Sequence, residues 1–128
     1  MLGSMRLPEC SFCPIISDLE SNVEPDAIVV AEWPDAIAIL PRECDDKRGC
    51  VDGHTLVIPR LHVPDAAADP LVTAVTMARA AELAANLDDF NIITSKGKAA
   101  TQTVFHLHLH VIPRVEGDGL ALPWGVAA

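Results

Sequence analysis

Val104-Phe105-His106-Leu107-His108-Leu109-His110-Val111-Ile112-Pro113-Arg114 alternates with period two. In an extended chain, successive side chains point to opposite faces. The run therefore predicts a strand from Val104 to Arg114. Phe105, Leu107, Leu109 and Val111 face a core, and His106, His108 and His110 line one edge of an open face, with alternate side chains about 7 Å apart. A merely solvated face is a poor account of this row. Three of the chain's five histidines stand in it, and Lys, Thr or Glu would serve a wet surface as well. Two chemistries fit. All three imidazoles hold one catalytic metal, as in three-His zinc sites, or the row divides labour among a nucleophile, a structural anchor and a contact to phosphate or leaving group.

Just upstream, Lys96-Gly97-Lys98-Ala99-Ala100-Thr101-Gln102-Thr103 supplies glycine backbone, hydroxyls, an amide and positive charge. These are donors suited to phosphate, where negative charge sits or develops. Before that loop, Phe90 to Thr94 reads as a strand. Asp69-Pro70 reads as a helix start, with Asp as N-cap and Pro in the first turn. The helix is predicted from Pro70 to about Leu87. Arg79, Glu82 and Asn86 mark its solvent face, and Ala74, Ala78, Ala81 and Ala85 form a small-residue stripe that would let it lie close on a sheet. His54 to Arg60, Ala36 to Leu40 and Ala27 to Glu32 read as strands, the last two as a hairpin broken by Trp33-Pro34-Asp35. Pro41 to Gly53 is a long polar loop, a type often functional. Residues 6–26 read as loop with a short turn of helix. Glu116 to Gly119 turns, and Leu120 to Trp124 is an apolar tail, either a flap over a pocket or a surface segment. The order β, β, β, α, β, β predicts an α+β fold: a mostly antiparallel five-stranded sheet with one long helix on one face.

The 128 residues fit one domain, placed at 6–128, with Met1 to Met5 read as a tag remnant or alternative start. Half the residues are apolar but aromatics are scarce, so Val, Ile, Leu and Ala must build the core. A net charge of −9 argues against binding a nucleic acid polymer, which needs a basic surface. A single nucleotide needs only a few local donors and stays open as a ligand. No run of about 18 apolar residues predicts a membrane span, and no signal peptide is read, so a cytoplasmic location is expected. In that compartment the cysteines Cys10, Cys13, Cys44 and Cys50 are not a disulfide framework by default. Cys10-x-x-Cys13 points to metal or redox chemistry. A tetrahedral zinc site would need two further ligands, and histidines on the sheet are the natural donors.

His106-Leu-His108-Leu-His110-Val111-Ile112 resembles the His-φ-His-φ-His-φ-φ signature of the histidine triad (HIT) family. Gly53-His54-Thr55-Leu56-Val57-Ile58-Pro59-Arg60-Leu61-His62 resembles that family's second block. Thr101-Gln102-Thr103-Val104-Phe105 is similar to the segment that leads into the triad, and Pro8 to Ile16 resembles the amino-terminal segment of zinc-containing members. The likeness spans roughly residues 8–114, and the blocks occur in the family's order.

The resemblance implies a nucleotide hydrolase or transferase of the phosphoramidase or dinucleoside polyphosphate kind. His108 would attack the α-phosphorus to give a nucleotidyl-histidine; a neutral imidazole suits that role near pH 7. His110 would contact the phosphate or leaving group. Gln102 and Thr103 would hold phosphate oxygens or help the leaving group depart, Ser95 stands where many members contact phosphate, and His54 would support the triad. It further implies a closed, structural zinc site of Cys10, Cys13, His62 and His106, and a homodimer paired through the long helix and the strand after it. A purine nucleotide is the expected substrate. Three positions depart from the family pattern. Pro41 stands nearest the usual ribose-binding Asp, with Glu43, Asp45 and Asp46 as candidate substitutes. Ser95 replaces an Asn, and Thr101 replaces a Gly. Cys44 and Cys50 read as free thiols in the loop, with a disulfide between them allowed by spacing. Two other readings compete: a three-His catalytic metal enzyme, and a nucleotide-binding module with little turnover.

Overall fold

The computed structural model describes residues 9–41 and 52–126. The start at Met1 to Met5, Pro8, and the loop residues Glu43, Cys44, Asp45, Asp46 and Cys50 lie outside these ranges. The described elements are, in chain order, α1 (Cys13–Glu20), β1 (Val29–Glu32), β2 (Ala36–Ile39), β3 (Thr55–Pro59), α2 (Pro70–Ala84), β4 (Phe90–Ile93), a 3-10 turn (Lys98–Ala100), β5 (Leu109–Pro113), and the short pair β6 (Ala121–Leu122) and β7 (Gly125–Val126). The first five strands form one sheet in the order β1-β2-β3-β5-β4, with every neighbour antiparallel. This is the α+β design expected from the order of elements.

Both faces of the sheet are covered. On one face α2 packs Thr76, Ala80 and Ala84 toward Ala38, Val57, Leu109 and Val111. On the other, α1 packs Phe12, Ile15 and Ile16 against Ile37, Ile39, Leu56 and Ile58. Sheets covered on both sides need apolar residues at every strand position. The central strands obey this: Ala36–Ile39 and Thr55–Pro59 are buried throughout. Each fully buried Ile contributes about 1.5–3 kcal/mol of transfer free energy. Asp69 caps α2 by accepting from the backbone N–H of Leu71 and Val72 at 3.2 and 3.4 Å, and Pro70 occupies the first turn.

Four expectations need correction. Residues 6–26 were read as loop with a turn of helix; eight of them, Cys13–Glu20, form a helix covering a sheet face. The small-residue stripe Ala74, Ala78, Ala81 and Ala85 is exposed, and the seam uses Ala80 and Ala84 instead. The helix ends at Ala84 rather than Leu87, where Ala85 and Leu87 donate back into a tightened last turn. Finally, the ladder of the histidine strand begins at Leu109, not Val104. Phe105, expected in the core, is 52% exposed. Residues 104–108 are held by other bonds, such as Leu107 N–H to the Val63 carbonyl at 2.7 Å. The apolar tail is a hairpin at the sheet edge. Arg114 anchors it through Asp118 and the Leu120 carbonyl, and Trp124 is 79% exposed beside Phe90 and Asn91. Those β4 residues pair with Pro113 and Ile112, at the end of β5 away from the histidines, so the tail does not cover its own chain's His108.

Replacing Ala80 with Leu should overpack the seam between α2 and the sheet and cost about 1–3 kcal/mol, read as a lower urea midpoint at constant m-value. An unchanged midpoint would mean that another face of α2 meets the sheet.

Candidate functional site

The sheet face under α1 carries two adjoining histidine clusters. β3 and β5 set them there, because Leu56 pairs with His110 across the ladder and its neighbours at even spacing share that face.

The first cluster joins the amino terminus to the histidine row. Cys10, Cys13, His62 and His106 offer ligand atoms that all lie within 4.8 Å of one another. His106 Nδ1 is 3.5 Å from Cys10 Sγ, 3.7 Å from Cys13 Sγ and 3.0 Å from His62 Nδ1, while Cys13 Sγ is 3.3 Å from His62 Nδ1. A tetrahedral ion with bonds of about 2.3 Å to sulfur and 2.0–2.1 Å to nitrogen sets donor–donor edges of roughly 3.3–3.8 Å. Three of these four separations fall in that range and the fourth, 3.0 Å between the two imidazoles, is slightly short of it, so the group can hold a metal ion. His106 is fully buried, and its Nε2–H donates to the Pro59 carbonyl at 2.9 Å. That bond fixes the tautomer and leaves Nδ1 facing the thiols. His106 therefore departs from the open edge expected of the whole row, drawn inward by the Pro59 carbonyl on one side and the thiol cluster on the other.

The second cluster is His54, His108 and His110. Ring centroids are 5.1 Å apart for His108 and His110, and 5.2 Å for His54 and His110. His108 Nδ1–H donates to the His106 carbonyl at 2.8 Å, which leaves the Nε2 lone pair as the available nucleophile. Burial holds the His108 pKa below its ordinary 6.5, offset in part by that backbone bond. His110 shares a 3.0 Å hydrogen bond with His54, Nδ1 to Nε2. Burial first, then the charges on His108 and His54, pushes the His110 pKa down to about 4. Burial also lowers that of His54. Neutral imidazoles therefore make up this cluster near pH 7. The three rings of the row do not converge on one point: His106 belongs to the thiol cluster, while His108 and His110 each engage Nδ1 elsewhere.

The remaining candidates are distributed around these clusters. Gln102 is buried, and its amide ties its loop to the segment before α2: Oε1 accepts from Gly97 N–H at 2.8 Å, and Nε2 donates to the carbonyls of Pro64 and Val104 at 2.7 and 3.1 Å. It braces the loop rather than facing His108. Thr103 is exposed and lines a small cavity with Cys10, His62 and Phe105, on the metal-cluster side. Ser95 is half-buried next to Thr94, whose hydroxyl donates to the His108 carbonyl at 2.8 Å.

Two side chains were missed in the sequence. Thr94 ties β4 to the backbone of the nucleophile candidate. Phe12 meets His106 and His108 edge-on, with centroids at 5.8 and 5.1 Å and interplanar angles of 81° and 79°. Its place inside Cys10-Ser-Phe12-Cys13 was the available clue, since an apolar residue held within a ligand knuckle must pack on whatever the ligands reach.

Cys10→Ser should lose bound metal and melt at lower temperature; unchanged metal content by atomic absorption would remove the thiol from the ligand set. A second expectation concerns acid. With His110 at about 4 in the folded chain against 6.5 unfolded, the unfolded state takes up the proton first as pH falls. Stability from this ring is intact above pH 6.5 and lost progressively toward pH 4. In urea unfolding, His110→Gln should flatten the decline across that window, and an unaltered slope would assign the decline to other groups.

The HIT domain profile matches residues 22–117. An adenylylsulfatase of Arabidopsis thaliana is 33% identical over 119 residues, 88% of this chain and 55% of that protein. The adenosine 5′-monophosphoramidase of Saccharomyces cerevisiae is 33% identical over 122 residues, covering 90% of this chain and 69% of that protein. The crystal structure of a zinc-bound histidine triad family protein from Mycobacterium smegmatis matches with a TM-score of 0.67 and 39% identity, over 89% of this chain and 81% of the other. With most of its length under one family profile, and the row of histidines on an antiparallel five-stranded sheet, the chain belongs to the histidine triad family.

Proposed function

We propose that this chain is a nucleotide hydrolase or transferase that acts at the α-phosphorus of nucleoside phosphoramidates or dinucleoside polyphosphates, with His108 as nucleophile. The observation that carries this reading is the 2.8 Å bond from His108 Nδ1–H to the His106 carbonyl, which aims a neutral Nε2 lone pair outward. Nε2 forms a bond to phosphorus as the bond to the leaving group breaks, and the electron pair leaves with that group. An amine leaving group takes its proton from solvent or through His110. Water or another acceptor then attacks phosphorus, the P–N bond breaks, its pair returns to Nε2, and the acceptor's proton passes to solvent. His110 contacts the phosphate or the leaving group, kept in place by His54. Ser95 and Thr103 offer hydroxyls to phosphate oxygens, and Gln102 acts as a positioning residue for the loop that carries Thr103. The names of the Arabidopsis and yeast relatives support hydrolysis of adenosine 5′-phosphate derivatives, and with it a purine preference.

The metal is zinc in this reading, held by Cys10, Cys13, His62 and His106 in a closed, structural set. The zinc-bound mycobacterial relative and the soft Cys/His donors support it. Thiolate ligands require reduced cysteines, which supports a cytoplasmic location. The protein works as a homodimer: α2 exposes Leu71, Val75 and Met77, and the edge strand β4 exposes Phe90, an apolar surface that a second copy would cover.

Purified protein and its His108→Ala variant, incubated with adenosine and guanosine 5′-phosphoramidates and dinucleoside polyphosphates, test the reading. Wild type should release nucleotide, and the variant should lose at least about a thousandfold in kcat while keeping its metal. Equal rates would remove His108 from the chemistry. Tight nucleotide binding without turnover in either would make the chain a binding module.

A further inference from the structure

Resting on the proposed reaction at His108, we infer that Lys96 and Lys98 form a leaving-group subsite that selects substrates whose leaving group is an anion, such as sulfate or a phosphate chain, over those that release an amine.

The described basic side chains divide cleanly. Arg60 is paired with Glu20 and Glu32, Arg79 with Asp35 and Glu82, and Arg114 with Asp118. Lys96 and Lys98 are exposed and pair with no carboxylate among the described residues. In a chain of net charge −9, these two free cations stand one residue apart in a single loop. Both ends of that loop meet the nucleophile's strand. The ladder between β4 and β5 ends at the Ile93–His110 pair, and just past it the Thr94 hydroxyl donates to the His108 carbonyl at 2.8 Å, which holds the start of the loop beside His108. At the other end, Thr103 leads through Val104 and Phe105 into His106.

The loop is built to hold its shape without the lysines. Gly97 sits at φ +95°, its N–H is taken by Gln102 Oε1, and its carbonyl accepts from Ala100 and Gln102 N–H at 3.1 Å. Lys98 opens the 3-10 turn, and nothing lies within 4 Å of the place where a Cβ would stand on Gly97. Two unpaired ammonium groups are therefore carried on a loop of fixed backbone that begins, at Thr94, beside His108. An α-phosphate alone carries one negative charge. Charge concentrated beyond it belongs to the leaving group, which in a phosphosulfate or polyphosphate departs as an oxyanion with the electrons of the broken P–O bond. Two cations stabilise that developing charge, whereas a departing amine gains nothing from them and is repelled once protonated. Local cations also offset the long-range repulsion an acidic chain exerts on an anionic substrate.

The test measures kcat/KM for adenosine 5′-phosphosulfate, a diadenosine tetraphosphate and an adenosine 5′-phosphoramidate in wild type, the Lys96→Ala/Lys98→Ala double variant and the Lys96→Arg/Lys98→Arg double variant. The Ala pair should lower the ratio of either anionic substrate to the phosphoramidate by about tenfold, the size of one to two charge-assisted contacts. The Arg pair should restore the ratio, and added salt should shrink the wild-type preference. A loss confined to the tetraphosphate would identify a polyphosphate chain as the anion, and a loss confined to the phosphosulfate would identify sulfate. An unchanged ratio, or equal losses on all three substrates, overturns the inference while leaving His108 chemistry standing. If wild type and His108→Ala turn over nothing, the proposed reaction fails and the subsite falls with it.

Discussion

His106 is the residue through which the rest of the site is fixed. Its ring is wholly buried, with Nε2–H held by the Pro59 carbonyl and Nδ1 turned to Cys10, Cys13 and His62. Its own carbonyl receives the Nδ1–H of His108. One residue therefore ties the end of β3, the amino-terminal knuckle and the nucleophile candidate into a single arrangement. A buried imidazole without partners is costly. Here both ring nitrogens face polar groups, so displacing any of them would disturb the tautomer and seat of His106, on whose carbonyl His108 rests. The Cys/His cluster is not a remote staple, because His106 belongs to it and its carbonyl holds His108.

The two-sided sheet explains how such a site survives in a small chain. α2 seals one face with a small-residue seam, leaving the other free for α1 and the histidines. Because α1 begins at a ligand, Cys13, the helix that completes the core on that face is positioned by the cluster itself. A metal ion held there would couple the fold of the amino terminus to the assembly of the site.

Much of this was legible in the sequence. Period-two alternation set His108 and His110 apart from Leu109 and Val111, and the Asp69-Pro70 start of α2 was readable from capping chemistry alone. What stayed hidden depends on packing in three dimensions. The strand pattern continued back to Val104, but Phe105 faces solvent, because the segment before Leu109 is held by the Val63 carbonyl rather than by a ladder. Two alanine stripes run along α2, and periodicity cannot say which one the sheet takes. Gln102 carries the look of a phosphate donor, yet its amide is satisfied by the backbone of Gly97, Val104 and the distant Pro64. Pocket residues given by a family pattern can be structural braces in the individual chain.

Thr101 shows what that bracing does. It lies at φ +71°, in the left-handed region, where a β-branched residue is strained by roughly 1–3 kcal/mol. Such a conformation persists only where its surroundings over-determine it. Here they do: Thr101 N–H donates to the Lys98 carbonyl, Gln102 N–H to the Gly97 carbonyl, and the Gln102 amide closes the loop on Gly97, Pro64 and Val104. The buried Gln102 thus holds a strained turn in place, and that turn fixes the backbone from which Lys96, Lys98 and Thr103 project. A loop braced in this way holds its backbone in one shape without a ligand's help, which is the condition under which binding to it costs little ordering.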